Sequence, residues 1–179
     1  MEKRKFKMTT YGVVQTCILL CFVCCFVFWM QVFVETENSF GGSLKFTGYQ
    51  LALGLPVYTK FTTPAGTQWV KFEQPTLIPL ISVSFWLLVA SFLLEITALV
   101  LKIKNISLKS RLILHLISIG FLLFSGITLF FTRQLVADTL GKPSTGFVVV
   151  GDIFTASFEI FIAILIGLAL IEPRINKGL

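Results

Sequence analysis

LIPLISVSFWLLVASFLLEITALVL, residues Leu77–Leu101, runs for 25 residues with one charge, Glu95. A helix needs roughly 20 apolar residues to cross a hydrocarbon core, so this stretch reads as a membrane span. Three more follow the same pattern: Tyr11–Val34, Leu112–Phe131 and Phe147–Ile171, of 24, 20 and 25 residues. In lipid the backbone N–H and C=O groups must be satisfied inside the segment, which makes these runs helices rather than isolated strands. The composition agrees: 55% of the 179 residues are hydrophobic and 13% charged, outside the usual range of a soluble domain. The expected fold is an all-α integral membrane protein, a four-transmembrane-helix bundle with a small β-rich extracytoplasmic loop, forming one domain over 1–179.

Charge orients the spans. Lys3, Arg4, Lys5 and Lys7 lie in the tail 1–10, Lys102, Lys104, Lys109 and Arg111 in the loop 102–111, and Arg174 and Lys177 in the tail 172–179. The other side, made of the loops 35–76 and 132–146, holds Lys45, Lys60, Lys71, Arg133 and Lys142. The excess of basic residues marks the cytoplasmic side, so both termini are expected there, in a multi-pass protein of the cell membrane. The net charge of +6 then reads as topology and as attraction to anionic headgroups. Neither nucleic acid nor nucleotide is an expected partner. Gly141-Lys-Pro-Ser-Thr-Gly146 lacks the phosphate-loop spacing, and the basic residues flank the membrane in short segments. The first span reads as a signal anchor, because its 24 apolar residues exceed the roughly 7–15 of a cleaved signal. Asn105-Ile-Ser107 is a glycosylation sequon on the side assigned to the cytoplasm.

All four cysteines, Cys17, Cys21, Cys24 and Cys25, lie on the first span. Cys21-x-x-Cys24 has redox spacing but sits among Leu19, Leu20, Phe22 and Val23, away from water and from partner thiols. Packing is the favoured reading, ahead of redox chemistry, metal binding or acylation of Cys17. No cofactor, metal site or catalytic residue is expected.

The loop Glu35–Thr76 is too long for a simple connector. Val57–Thr63 and Thr67–Phe72 are rich in β-branched and aromatic residues and flank Pro64-Ala-Gly66, a hairpin signal. Ser43–Thr47 reads as a third strand beside that hairpin, and Gly48–Gly54 as a short amphipathic turn or helix. Tyr49, Tyr58, Phe61, Trp69 and Phe72 are the candidate contact residues, either of a cap closing the bundle or of a docking surface for a partner.

This layout resembles the claudin-type four-helix superfamily in topology. That family's W…GLW…C…C loop pattern is absent, since the loop has one tryptophan and no cysteine. Its disulfide-braced sheet therefore does not carry over. Phe46-Thr-Gly-Tyr-Gln-Leu-Ala-Leu-Gly54, with its G-x-x-L-x-x-G core, is similar to a segment of small bacterial four-helix membrane proteins of unassigned function. That resemblance implies no activity.

Ionisable groups inside the spans are the remaining candidates, because each costs about 2.5–3.5 kcal/mol at mid-bilayer. Glu159 is central in the fourth span, and Asp152, Thr155 and Glu159 share one helical face. Ser84, Ser91 and Glu95 form a similar stripe on the second span. His115, the sole histidine, is placed at the depth of Glu95. Three readings stay open. The groups are structural, with Glu95 paired to His115 and Asp152 to Arg133; they form a proton or cation path; or Glu159 meets a group on a partner's helix. Ala163-x-x-x-Gly167 allows close approach of a neighbouring helix. The function expected is a non-catalytic accessory subunit, bound to the lipid bilayer and to another membrane protein or a second copy through the outer loop and fourth span. The alternative is a small proton- or cation-coupled transporter or channel component using Glu159.

Overall fold

Pro79, whose missing N–H would find no intrahelical partner in a first turn, opens the longest helix among the described residues. A computed structural model describes residues 10–37, 43–63, 66–71, 77–104, 108–140, 147–149 and 151–175. Its order is α1 (Thr10–Phe28), β1 (Val32–Glu37), β2 (Ser43–Thr47), α2 (Gly48–Leu53), β3 (Tyr58–Thr63), β4 (Gly66–Lys71), α3 (Pro79–Ile103), α4 (Leu108–Leu129), α5 (Thr132–Leu140), β5 (Phe147–Val149) and α6 (Asp152–Ile175). Three helices, α3, α4 and α6, are long and apolar enough to cross a membrane, and α1 is a shorter apolar helix. They form a ring: α4 packs between α3 and α6, and α1 leans on α6 and, less extensively, on α3. Gly126 lets α4 and α6 approach closely, since a Cβ there would lie 3.0 Å from the Ala156 carbonyl oxygen and from Ile160 Cγ1.

Two expected spans are shorter than their apolar runs. The first helix stops at Phe28, not Val34, and the fourth begins at Asp152, not Phe147. Both runs end in β-branched valines that join a sheet. β1 is its central strand, antiparallel to β2 on one side and to β5 on the other. Hydropathy does not separate a buried strand from the end of a buried helix. Phe33 and Val34 are adjacent and both fully buried, which regular strand alternation forbids. A register shift between Val32 and Val34 resolves this, inserting an extra residue that turns both inward. Lys45 lies opposite Glu35 across the β1–β2 ladder, 3.3 Å from its carboxylate.

The hairpin stands where expected, as β3 paired antiparallel with β4. Ser43–Thr47, however, joins the β1 sheet rather than the hairpin, so the cap over this end of the helices holds two sheets. Residues 132–140, expected as loop, form α5. It buries Val136 and Ala137 and carries a Gln134–Asp138 side-chain hydrogen bond of 2.7 Å along its exposed face. Phe72, Pro64, Asn105, Lys142, Lys177 and the basic residues 3–7 lie outside the described residues, as do the side chains of Phe61 and Trp69.

The segment Thr47–Gly54 locks the cap to the bundle. Thr47 and Gln50 form a capping box, the Gln50 N–H donating to Thr47 Oγ1 at 3.3 Å and the Thr47 N–H to Gln50 Oε1 at 2.8 Å. Gly54 closes the helix in the left-handed region at φ 65°. Gly48 sits so close to the end of α1 that a Cβ would come within 2.8 Å of the Trp29 carbonyl oxygen and 2.7 Å of the Phe33 ring. The Tyr49 hydroxyl donates to the Phe26 carbonyl at 3.1 Å, and burial pushes the ionisation of this phenol up, keeping it a donor. Leu51 is buried, and its carbonyl accepts from the Ile78 N–H at 2.9 Å just before α3. The G-x-x-L-x-x-G core is therefore a clamp across α1 and α3.

Candidate functional site

Two buried polar clusters lie inside the helical ring, one toward each end. At the capped end, Glu159 on α6 is fully buried. The Trp29 indole Nε1–H donates to its Oε1 at 3.1 Å, and Cys25 Sγ stands 3.9 Å from the same oxygen. Trp29 is held by ring contacts with Phe33 and Phe85, each 5.2 Å between centroids. The Ser125 hydroxyl stands beside the carboxyl group, but donates to the Ser84 carbonyl at 3.1 Å. Glu159 Oε2 has no hydrogen-bond partner among the described residues. One carboxyl oxygen is thus held and the other is bare.

At the opposite end, Glu95 on α3 joins three helices. Its Oε1 and Oε2 lie 3.1 and 3.0 Å from His115 Nδ1 on α4. The Gln15 amide on α1 donates to Oε2 at 2.8 Å, and all three side chains are buried. The expected Glu95–His115 pair is present, and Gln15 completes it. Gln15 belongs among the intramembrane polar candidates on the same grounds as Glu95: it is an amide in the apolar stretch Tyr11–Val34.

Between the clusters the α3–α4 seam carries serines. Ser91 Oγ donates to the Ser118 carbonyl at 3.3 Å, and Ser118 Oγ returns the bond to the Ser91 carbonyl at 3.5 Å. Leu88 and Leu122 are fully buried between this pair and the Ser84–Ser125 contact, forming an apolar layer between the two carboxyl groups. The polar stripe at the start of α6 is likewise broken. Asp152 Oδ1 accepts from the Ile153 N–H at 2.7 Å and the carboxyl stands beside Thr132. Thr155 donates back to the Gly151 carbonyl at 2.9 Å. The Thr155 proton is therefore committed to the backbone just ahead of its own helix.

The aromatic contact candidates divide. Tyr49 is part of the clamp, with its ring 5.2 Å from that of Phe85, whereas Tyr58 is 56% exposed. Cys25 is buried beside Glu159, and Cys17 and Cys24 are exposed. A groove of about 400 Å³ runs along the α1–α6 seam, lined by Phe28, Gln31, Phe154, Ser157, Phe158 and Phe161. Its lining shares no residue with either polar cluster. Neither a family model nor a curated protein matches the sequence.

Proposed function

We propose that the chain is a non-catalytic accessory protein of the cell membrane, which binds another membrane protein through its outer cap and α6. In this reading α1 is the fourth span: its 19 residues cover about 28 Å at 1.5 Å per residue, close to the roughly 30 Å hydrocarbon core. Both termini and the α3–α4 turn face the cytoplasm. The carrying observation is the aromatic groove on the α1–α6 seam, which opens outward beside the cap, with Phe154 69% exposed. The interior supports the same reading, because Glu159 is enclosed by this chain's own Trp29, Cys25 and Ser125. A contact between Glu159 and a partner's helix has no basis in that arrangement, so the docking face on α6 is its outer, aromatic side.

The test is purification in mild detergent from native membranes, with quantitative mass spectrometry of the proteins that co-elute. A stoichiometric membrane partner that is lost on Phe154→Ala plus Phe158→Ala, in a variant that stays monodisperse, supports the reading. Equal recovery of the partner from that variant overturns it. The bare Glu159 Oε2 favours one second reading, proton or cation coupling through Glu159. Reconstituted flux that Glu159→Gln abolishes would establish it.

A further inference from the structure

Four leucines are exposed where the cap meets the start of α3. Leu53 ends α2 and Leu55 follows it, while Leu77 and Leu80 straddle Pro79; their exposures are 39, 44, 44 and 46%. α2 turns Gly48, Leu51 and Ala52 inward, which leaves Leu53 on its outer side. Gly54 then reverses the chain in the left-handed region and brings it against α3, where an added Cβ would lie 3.1 Å from Leu77 Cβ. The two pairs of leucines therefore form one patch. Leu53–Pro56 has no polar side chain, although surface turns are commonly rich in Asn, Asp and Ser.

The backbone of this turn is equally dry. The Gly54 and Leu55 N–H groups both donate to the Gln50 carbonyl, the second at 3.2 Å, and Pro56 has no N–H. Three successive residues thus present no donor that needs water, which is what a segment leaving water requires. Helix length places the patch. α3 has 25 residues, about 38 Å at 1.5 Å per residue. Even at an average tilt of about 20°, it overreaches a roughly 30 Å hydrocarbon core by about 5 Å. Lys102 in its last turn marks one boundary, so the surplus falls at the Pro79 end, beside the patch. Tyr58 and Lys71, opposite each other at the open end of the β3–β4 hairpin, are both exposed. Tyrosine and lysine are anchors at headgroup level.

We propose that Leu53, Leu55, Leu77 and Leu80 form an apolar foot by which the cap rests in the bilayer leaflet on its own side. The foot sits at the boundary between acyl chains and headgroups, with Tyr58 and Lys71 at the headgroups. Segments that lie in this boundary bury their apolar side by roughly 5–10 Å. The foot continues the exposed apolar face of α3, where Val83 follows Leu80. It rests on the membrane reading above and is independent of the partner and of the groove.

The test uses the full-length protein in phosphatidylcholine vesicles that contain one of two photoreactive lipids. One carries a diazirine beside the glycerol backbone, the other at the end of an acyl chain. Proteolysis and mass spectrometry locate the adducts. The glycerol-level lipid should label Leu53–Pro56 and Leu77–Leu80 and leave Gly66–Gln68, at the other end of the hairpin, unlabelled. The acyl-end lipid should label the middle of α3 around Leu93. Leu53→Asn plus Leu55→Asn removes no buried side chain and should lower the adduct yield at the unaltered Leu77 severalfold.

Labelling around Leu93 without any at Leu53–Pro56 would overturn the foot and leave the membrane reading standing. Unchanged labelling of Leu77 in the double variant would show that the leucines do not hold the cap in the leaflet, and would also overturn it. A yield at Leu53–Pro56 that falls as the protein-to-lipid ratio rises would mean that a second copy covers the patch, in place of lipid. Absence of adducts from either lipid along the whole of α3 would instead defeat the membrane reading, and the two failures are thereby distinguishable.

Discussion

Glu95 and Glu159 are both fully buried carboxyl groups on long apolar helices, yet their surroundings differ. Glu95 has side-chain partners on two other helices: Gln15 and His115 use both its oxygens. Glu159 is met by Trp29 and Cys25 at Oε1, and Oε2 is bare among the described residues. A buried polar group is expensive when unsatisfied and close to neutral when fully bonded. The Glu95 cluster therefore behaves as a three-helix clasp, setting the register of α1, α3 and α4. The Glu159 cluster tolerates an incomplete set of bonds because aromatic packing around Trp29 supplies the cohesion there. The two ends of the ring are held by different physics: hydrogen bonds at one, rings and a glycine-permitted close approach at the other.

Removing Glu95 should have the largest effect. Glu95→Leu strands Gln15 and His115 in the interior, and breaking a buried pair by deleting one partner costs about 3–5 kcal/mol. Unfolding in detergent, followed by circular dichroism across a denaturant titration, should show that loss. A change under about 1 kcal/mol would mean that the clasp is no stronger than an average membrane hydrogen bond, and the contrast between the two ends would collapse. Gly48→Ala tests the other end. With Trp29 O at 2.8 Å from the added Cβ, the backbone must shift, at a cost of about 1–3 kcal/mol. Proteolysis in the cap should rise in this variant while the Glu95 end stays protected.

Trp29→Phe sharpens the same point more gently. The ring packing against Phe33 and Phe85 is largely retained, and only the indole N–H to Glu159 is lost. A loss of about 1–2 kcal/mol is expected, well below that of Glu95→Leu. If Trp29→Phe proves as damaging as Glu95→Leu, the hydrogen bond rather than the aromatic packing holds the capped end.

Much of this arrangement is legible in the chain, and what is not has identifiable causes. Apolar runs locate α3 and α4 because each is bounded by charge, at Lys102 and Arg111. The same runs overshoot at Val32–Val34 and Phe147–Val149, where apolar strands follow or precede helices without a polar break. Glu95 meets His115 because the short α3–α4 connection leaves little freedom in their depths. Trp29 as the donor to Glu159 is not accessible in this way, since the two residues are 130 positions apart and sequence spacing carries no register between the end of α1 and α6. The Thr47–Gln50 capping box, in contrast, is visible as T-x-x-Q and places the start of α2 before any tertiary contact is known.

Glu159→Gln is expected to have the smallest effect on stability and discriminates most sharply between functions. Glutamine keeps an acceptor for the Trp29 indole and replaces the bare oxygen with an NH₂ group, so one unpartnered atom is exchanged for another. Stability should change by less than about 1 kcal/mol, since no buried partner is newly orphaned. What changes is the capacity to bind and release a proton, which an amide lacks at any physiological pH. If the Glu159 cluster is only the packed counterpart of the Glu95 clasp, the variant should retain its fold with no functional change. If instead the fold persists but reconstituted proton or cation flux disappears, the bare oxygen is the functional atom. The incomplete bonding at the capped end is then the condition for transport, because the Glu159 Oε2 has no donor to displace, whereas both Glu95 oxygens are already engaged by Gln15 and His115.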